Sequence, residues 1–105
     1  MYPLTATRVV IARVDPDKLY YSVIKAIKDN PKLVIINGNE NKRHLDLAML
    51  EREKYYYFEL TVSFDGNQSE IEFTPSKPEH EQELAKAVAN ALPNIVGHLS
   101  RALQE

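Results

Sequence analysis

The chain contains no cysteine and no tryptophan, and only three glycines and two methionines among 105 residues. Without cysteine there is no disulfide framework, no thiolate nucleophile and no Cys-based zinc site. No Ser/Gly-rich or Pro-rich tract marks a linker. The only phosphate-loop candidate, Asn37-Gly38-Asn39, holds a single glycine and reads as a turn. No apolar run approaches the ~20 residues of a membrane span. Residues 1–8 lack the basic and apolar regions of a signal peptide, which points to a cytoplasmic protein. A strong charge of either sign is missing too. The formal net charge is -2 and the pI about 5.9, unlike the basic footprint of an electrostatic nucleic-acid binder.

What is present suits one α+β domain over 1–105. Apolar residues make up 44% of the chain, enough for a core that needs neither metal nor disulfide. Residues 5–14 are rich in β-branched side chains and predict a strand. Its lack of alternation predicts a central position or cover on both faces. Asp15-Pro16 is a helix start, with Asp15 as cap and Pro16 where no intrahelical bond is lost. Tyr20, Val23, Ile24 and Ile27 then recur at helical spacing, and Asn30-Pro31 ends the run, so the spacing predicts a helix over 16–29. A short apolar strand over 33–36 and a polar turn over 37–43 follow.

Two strands with clean alternation come next. Leu45, Leu47 and Met49 alternate with His44, Asp46 and Ala48, while Tyr56, Phe58, Leu60, Val62 and Phe64 alternate with Tyr55, Tyr57, Glu59, Thr61 and Ser63. A loop over 51–54 sets Met49 opposite Tyr56, Leu47 opposite Phe58 and Leu45 opposite Leu60, matching apolar faces throughout. A loop over 66–69 likewise sets Phe64 opposite Ile71 and Val62 opposite Phe73. Pro75 and Pro78 end the sheet. Glu79, Glu81 and Glu83 fall in the first turns of a final helix, where the dipole favours anions. Leu84, Val88, Ala91, Leu92, Ile95, Leu99 and Leu103 form its apolar stripe, and Pro93 kinks the helix or splits it at Asn94.

The predicted order is β-α-β-β-β-β-α, an antiparallel meander of four or five strands packed by two helices, the last one kinked at Pro93. In element order this resembles a helix-grip arrangement. With the last hairpin drawn shorter it is also similar to ribosome-hibernation factors. Neither resemblance rests on motif residues, and fold analogy alone carries no function.

Catalytic signatures are lacking. His44, His80 and His98 show no paired metal spacing, and His80 beside Glu81 or Glu83 reads as a solvated helix start; no metal and no cofactor are expected. No serine sits in a nucleophile motif. Glu51/Glu53 and Glu70/Glu72 fall in a polar loop or on an outward strand face, where nothing raises a carboxyl pKa. No enzyme activity is expected.

The second face of the sheet is more informative. Ala48 and Leu50 pair with Tyr57 and Tyr55 there, and an even-numbered preceding loop adds Leu33 and Ile35. A face carrying Leu33, Ile35, Ala48, Leu50, Tyr55 and Tyr57 is too apolar for a wet sheet surface. A helix, a second protein or a small apolar ligand would cover it. Lys42, Arg43, Arg52 and Lys54, with His44 among them, form a candidate basic patch near the tyrosines, the pattern used for stacking and phosphate contact. The neighbouring Glu40, Glu51 and Glu53 weigh against nucleic acid.

The sequence therefore reads as a non-catalytic protein-interaction module, homodimeric or bound to another protein through the apolar outer face. One alternative is a carrier of a small apolar ligand between the sheet and the C-terminal helix. The other is an RNA- or ribosome-associated factor acting through the basic hairpin tip.

Overall fold

The computed structural model describes residues 6–104, the side chain of Ala12 aside. Five antiparallel strands form one sheet: β1 (Thr7–Ala12), β2 (Leu33–Asn39), β3 (His44–Glu51), β4 (Lys54–Phe64) and β5 (Gln68–Pro75), in spatial order β1-β5-β4-β3-β2. Helices α1 (Pro16–Lys28) and α2 (Leu84–Gln104) pack against each other and against one face of this sheet. The predicted α+β meander with a long terminal helix is the observed fold.

Local chemistry explains the elements. Asp15 caps α1 by accepting from the Asp17 backbone N–H, and Pro16 opens the helix. Leu19, Tyr20, Val23, Ala26 and Ile27 bury its inner stripe. At its far end the Asn30 side chain donates to the Asn90 carbonyl of α2 at 3.0 Å, tying the two helices together. Leu84, Ala87, Ala91, Ile95 and Leu99 bury the stripe of α2 against Phe58, Leu60, Ile71 and Phe73.

Several expectations change. The first strand is expected to begin at residue 5, which lies outside the described residues, and to be central or covered on both faces. It is an edge strand paired with β5 alone, and Val10 is half exposed. Its apolar run reflects β-branched propensity more than double-sided burial. The β3–β4 pairs agree with expectation at all three positions: Met49–Tyr56, Leu47–Phe58 and Leu45–Leu60. The β4–β5 hairpin does not. Val62 faces Ile71 and Phe64 faces Ser69, two residues tighter than expected. Asp65 makes the tighter turn by accepting from the backbone N–H groups of Asn67 and Gln68, while Gly66 takes φ 101°. A slip of two leaves every side chain on its expected face, so face matching alone cannot detect it.

The last helix also starts later than expected. Residues Pro78–Glu83 form a 3-10 turn, with Lys77 at its start making no side-chain cap bond. An α-helix there would set Glu79 and Glu83 four apart, a like-charge pair on one face. Pro93 sits inside α2, which remains one helix; the version split at Asn94 is not formed.

Candidate functional site

Among the described residues, no helix packs across the outer face of the sheet, and the cross-strand row Val34–Ala48–Tyr57 and the pair Leu50–Tyr55 lie on it. Ala48 is buried among its larger neighbours, whereas Val34, Ile36 and Tyr55 are each about half exposed and Leu50 and Tyr57 are 38% exposed. Four of the six predicted surface residues, Ala48, Leu50, Tyr55 and Tyr57, are thus brought together. Leu33 and Ile35 are not among them. They pair with Met49 and Leu47 on the core face, and Leu33 is buried. The loop between β2 and β3 does have an even count, four residues over 40–43. A β-bulge between Ile35 and Asn37 then inserts one residue and reverses the parity. Val34 and Ile36 are exposed instead.

The predicted basic patch is not assembled. Lys42 and Arg43 lie in the β2–β3 turn, while Arg52 and Lys54 lie at the opposite end of β3, roughly 25 Å away for an eight-residue strand at ~3.3 Å per residue. Arg43 is also engaged, its Nε donating to Asp17 at 2.8 Å.

The bulge has a second consequence, on the helix side. Beyond it Gly38 faces inward opposite Leu45, in a place where an added Cβ would stand 3.2 Å from Leu45 Cδ2 and 3.6 Å from the Tyr20 hydroxyl. Gly38 borders an open cleft of about 440 Å³ between α1 and the β2–β3 hairpin. Ile24, Ile35, Leu45 and the Tyr20 ring line it, with Lys28, Tyr21 and Glu40 completing the wall. It is a wide, open groove whose lining is about equally polar and apolar. Tyr21 donates its hydroxyl to the Glu40 carboxylate, and that bond, reinforced by the carboxylate charge, raises the Tyr21 phenol above its ordinary value. Burial, and secondarily Glu40, raises Tyr20 as well. Both phenols therefore stay protonated across the neutral range, Tyr21 donating to Glu40 and Tyr20 to the His44 carbonyl at 3.4 Å. By contrast, the space between the sheet and α2 is filled by Phe58, Phe73, Leu60, Ile71 and Ile95, each no more than 1% exposed.

The histidines each have partners. His80 accepts from the Tyr57 backbone N–H at 3.0 Å, and its ring packs edge-on against Tyr56. It therefore holds the 3-10 turn to β4 rather than standing solvated. His98 is mostly buried and contacts Asp29 at 2.7 Å, as its place beside Leu99 suggested. His44 lies on the outer face with Asp46 and Glu59 on either side of Nε2, at 3.2 and 3.3 Å, and Thr61 Oγ1 2.9 Å from Nδ1. Sequence reasoning passed over this cluster, although the register that matched the apolar faces also sets His44 opposite Thr61 and Asp46 opposite Glu59.

No protein-family model matches the chain, and none of the curated proteins matches it by sequence. Solved structures do match in fold. The crystal structure of Ara h 8.0201 superposes with a TM-score of 0.51 at 13% identity, covering 94% of this chain and 99% of that one. The crystal structure of TTHA0849 from Thermus thermophilus gives 0.51 at 11% identity, with coverages of 95% and 99%. The likeness establishes the architecture. The chain has a helix-grip fold, an antiparallel sheet holding a long C-terminal helix. Among the described residues, no helix is long and apolar enough to cross a membrane.

Proposed function

We propose that the protein binds a small, largely apolar molecule in the cleft between α1 and the β2–β3 hairpin. The observation that carries this reading is the cleft itself, bordered by Gly38 where the bulge in β2 turns that residue so close to Leu45 and Tyr20 that a side chain there would crowd them. Ile24, Ile35 and the Tyr20 ring offer apolar contact, while Lys28 suits an acidic or hydrogen-bonding end of the ligand. The ligand site thus lies beside α1 and not beneath α2, where side chains already fill the space. A fluorescence titration with anilinonaphthalene sulfonate, an aromatic body bearing one anion, tests this directly. Saturable binding at one site per chain is expected. Gly38→Val, whose side chain would crowd Leu45 and the Tyr20 hydroxyl in the wall of the cleft, should weaken it at least about tenfold, a loss of about 1.4 kcal/mol. Equal binding to a folded Gly38→Val protein would refute the site.

A second reading rests on the outer face, where Val34, Ile36, Leu50, Tyr55 and Tyr57 stand exposed together. Patches of this kind with tyrosines at their centre serve association between proteins. If a second copy covers it, Tyr57→Asp yields a folded monomer by sedimentation at concentrations where the parent is a dimer. A parent that is monomeric at tens of micromolar ends this reading.

A further inference from the structure

On the outer face of β3 and β4, two carboxylates stand directly opposite one another. Asp46 pairs with Glu59 across the strands, an arrangement that repulsion disfavours unless a cation lies between. Elsewhere on this face the same difficulty is met by a guanidinium: Glu70 and Glu72 of β5 share Arg8, at 3.5 and 2.8 Å. Asp46 and Glu59 share the imidazole of His44 instead.

The orientation of that imidazole is informative. Nδ1 lies 2.9 Å from Thr61 Oγ1, and His44 and Thr61 are themselves a cross-strand pair. When Nδ1 carries the proton and donates to Thr61, the Nε2 lone pair faces the two carboxylate oxygens. Three electron-rich atoms are then grouped together, all within 4.8 Å of one another. Ligands held about 2.0–2.1 Å from a tetrahedral zinc ion stand about 3.3 Å apart. The distances from Nε2 to Asp46 Oδ1 and to Glu59 Oε1 are 3.2 and 3.3 Å.

We infer that His44, Asp46 and Glu59 form a binding site for one divalent transition-metal ion of the zinc class. One imidazole and two carboxylates give a nitrogen–oxygen donor set that suits zinc and its neighbours. The two carboxylate charges neutralise the ion, and Thr61 fixes the ring as an outer partner of the ligating histidine. Three protein ligands leave a fourth position for water or an anion. The site borders a hollow of about 300 Å³ lined by His44, Asp46, Asn37, Asn39 and Lys42, which gives that position room.

Competition between the metal-free full chain and a chromophoric chelator for Zn2+, at about pH 7.5, tests the inference, with Co2+ as a spectroscopic stand-in. One ion per chain should bind with a dissociation constant tighter than roughly 10 μM. His44→Asn and Asp46→Asn should each weaken binding at least about tenfold and abolish the visible bands of four-coordinate Co2+. Thr61→Val, which retains all three ligands, should still weaken it by about 10–100-fold. His98→Asn is expected to bind as the parent does. All four positions are partly exposed, and circular dichroism serves as the check that each variant is folded. Absence of stoichiometric uptake by the parent, or unchanged uptake by folded His44→Asn and Asp46→Asn, would overturn the inference. The first result would leave a proton-bridged network at His44, and the second would place the ion elsewhere.

Discussion

Asp65 illustrates how one side chain sets the geometry of a hairpin. Its Oδ1 accepts from the Asn67 and Gln68 backbone N–H groups, both at 3.0 Å, and those bonds hold the carboxyl below the ordinary carboxylate range. A carboxyl depressed in the folded state stabilises the fold above its unfolded value of about 3.9, and this contribution is lost as pH falls through the folded value. Asp65→Asn keeps an acceptor oxygen but removes the charge. The stability gap between parent and Asp65→Asn, measured by urea denaturation, should therefore be largest near about pH 6 and close toward about pH 2. A gap that stays constant across that range would remove the charge from the explanation. Gly38 acts at the same scale by omission, since a Cβ there would press on Leu45 at 3.2 Å.

Among the elements, the β3–β4 hairpin combines the best-matched register with a strained turn. Arg52 and Glu53 take φ 52° and 66°, the left-handed pair that a two-residue turn demands and that Asn-Gly usually supplies. Each such residue costs about 1–2 kcal/mol relative to the right-handed region. Replacing Arg52-Glu53 by Asn-Gly should raise the unfolding free energy by roughly 1–2 kcal/mol, seen as a higher urea midpoint at unchanged slope. A lower midpoint would show that the two side chains contribute more than their backbone strain costs. The same hairpin marks how far sequence reading reaches. Alternation over 44–64 is two-periodic with one buried face, so faces and register follow from matching apolar pairs. Matching is blind to shifts of two, which is how the β4–β5 turn, set by Asp65 and Gly66, escaped it. It is blind also to a bulge, because the extra residue near Ile36 has no composition signal, and Leu33 and Ile35 moved to the core face in consequence. Matching the polar faces with the same register would have set Asp46 opposite Glu59 and brought out the His44 cluster.

On the scale of the whole molecule, the sheet divides two kinds of surface. Its inner face is a filled core gripped by α1 and α2, and its outer face carries an apolar patch beside an acidic one. The helix-grip fold supplies the frame in which α1 lies over the bulged edge of β2. The cleft lies at that edge, between α1 and the hairpin, and outside the filled core. The competing sites lie on opposite faces of one sheet, so a measurement that locates a bound probe separates them. That measurement is a chemical-shift titration of the isotope-labelled protein with anilinonaphthalene sulfonate. The account predicts saturable changes, largest at Ile24, Lys28, Ile35 and Gly38. Changes centred on Val34, Leu50, Tyr55 and Tyr57, or none that saturate, would contradict it.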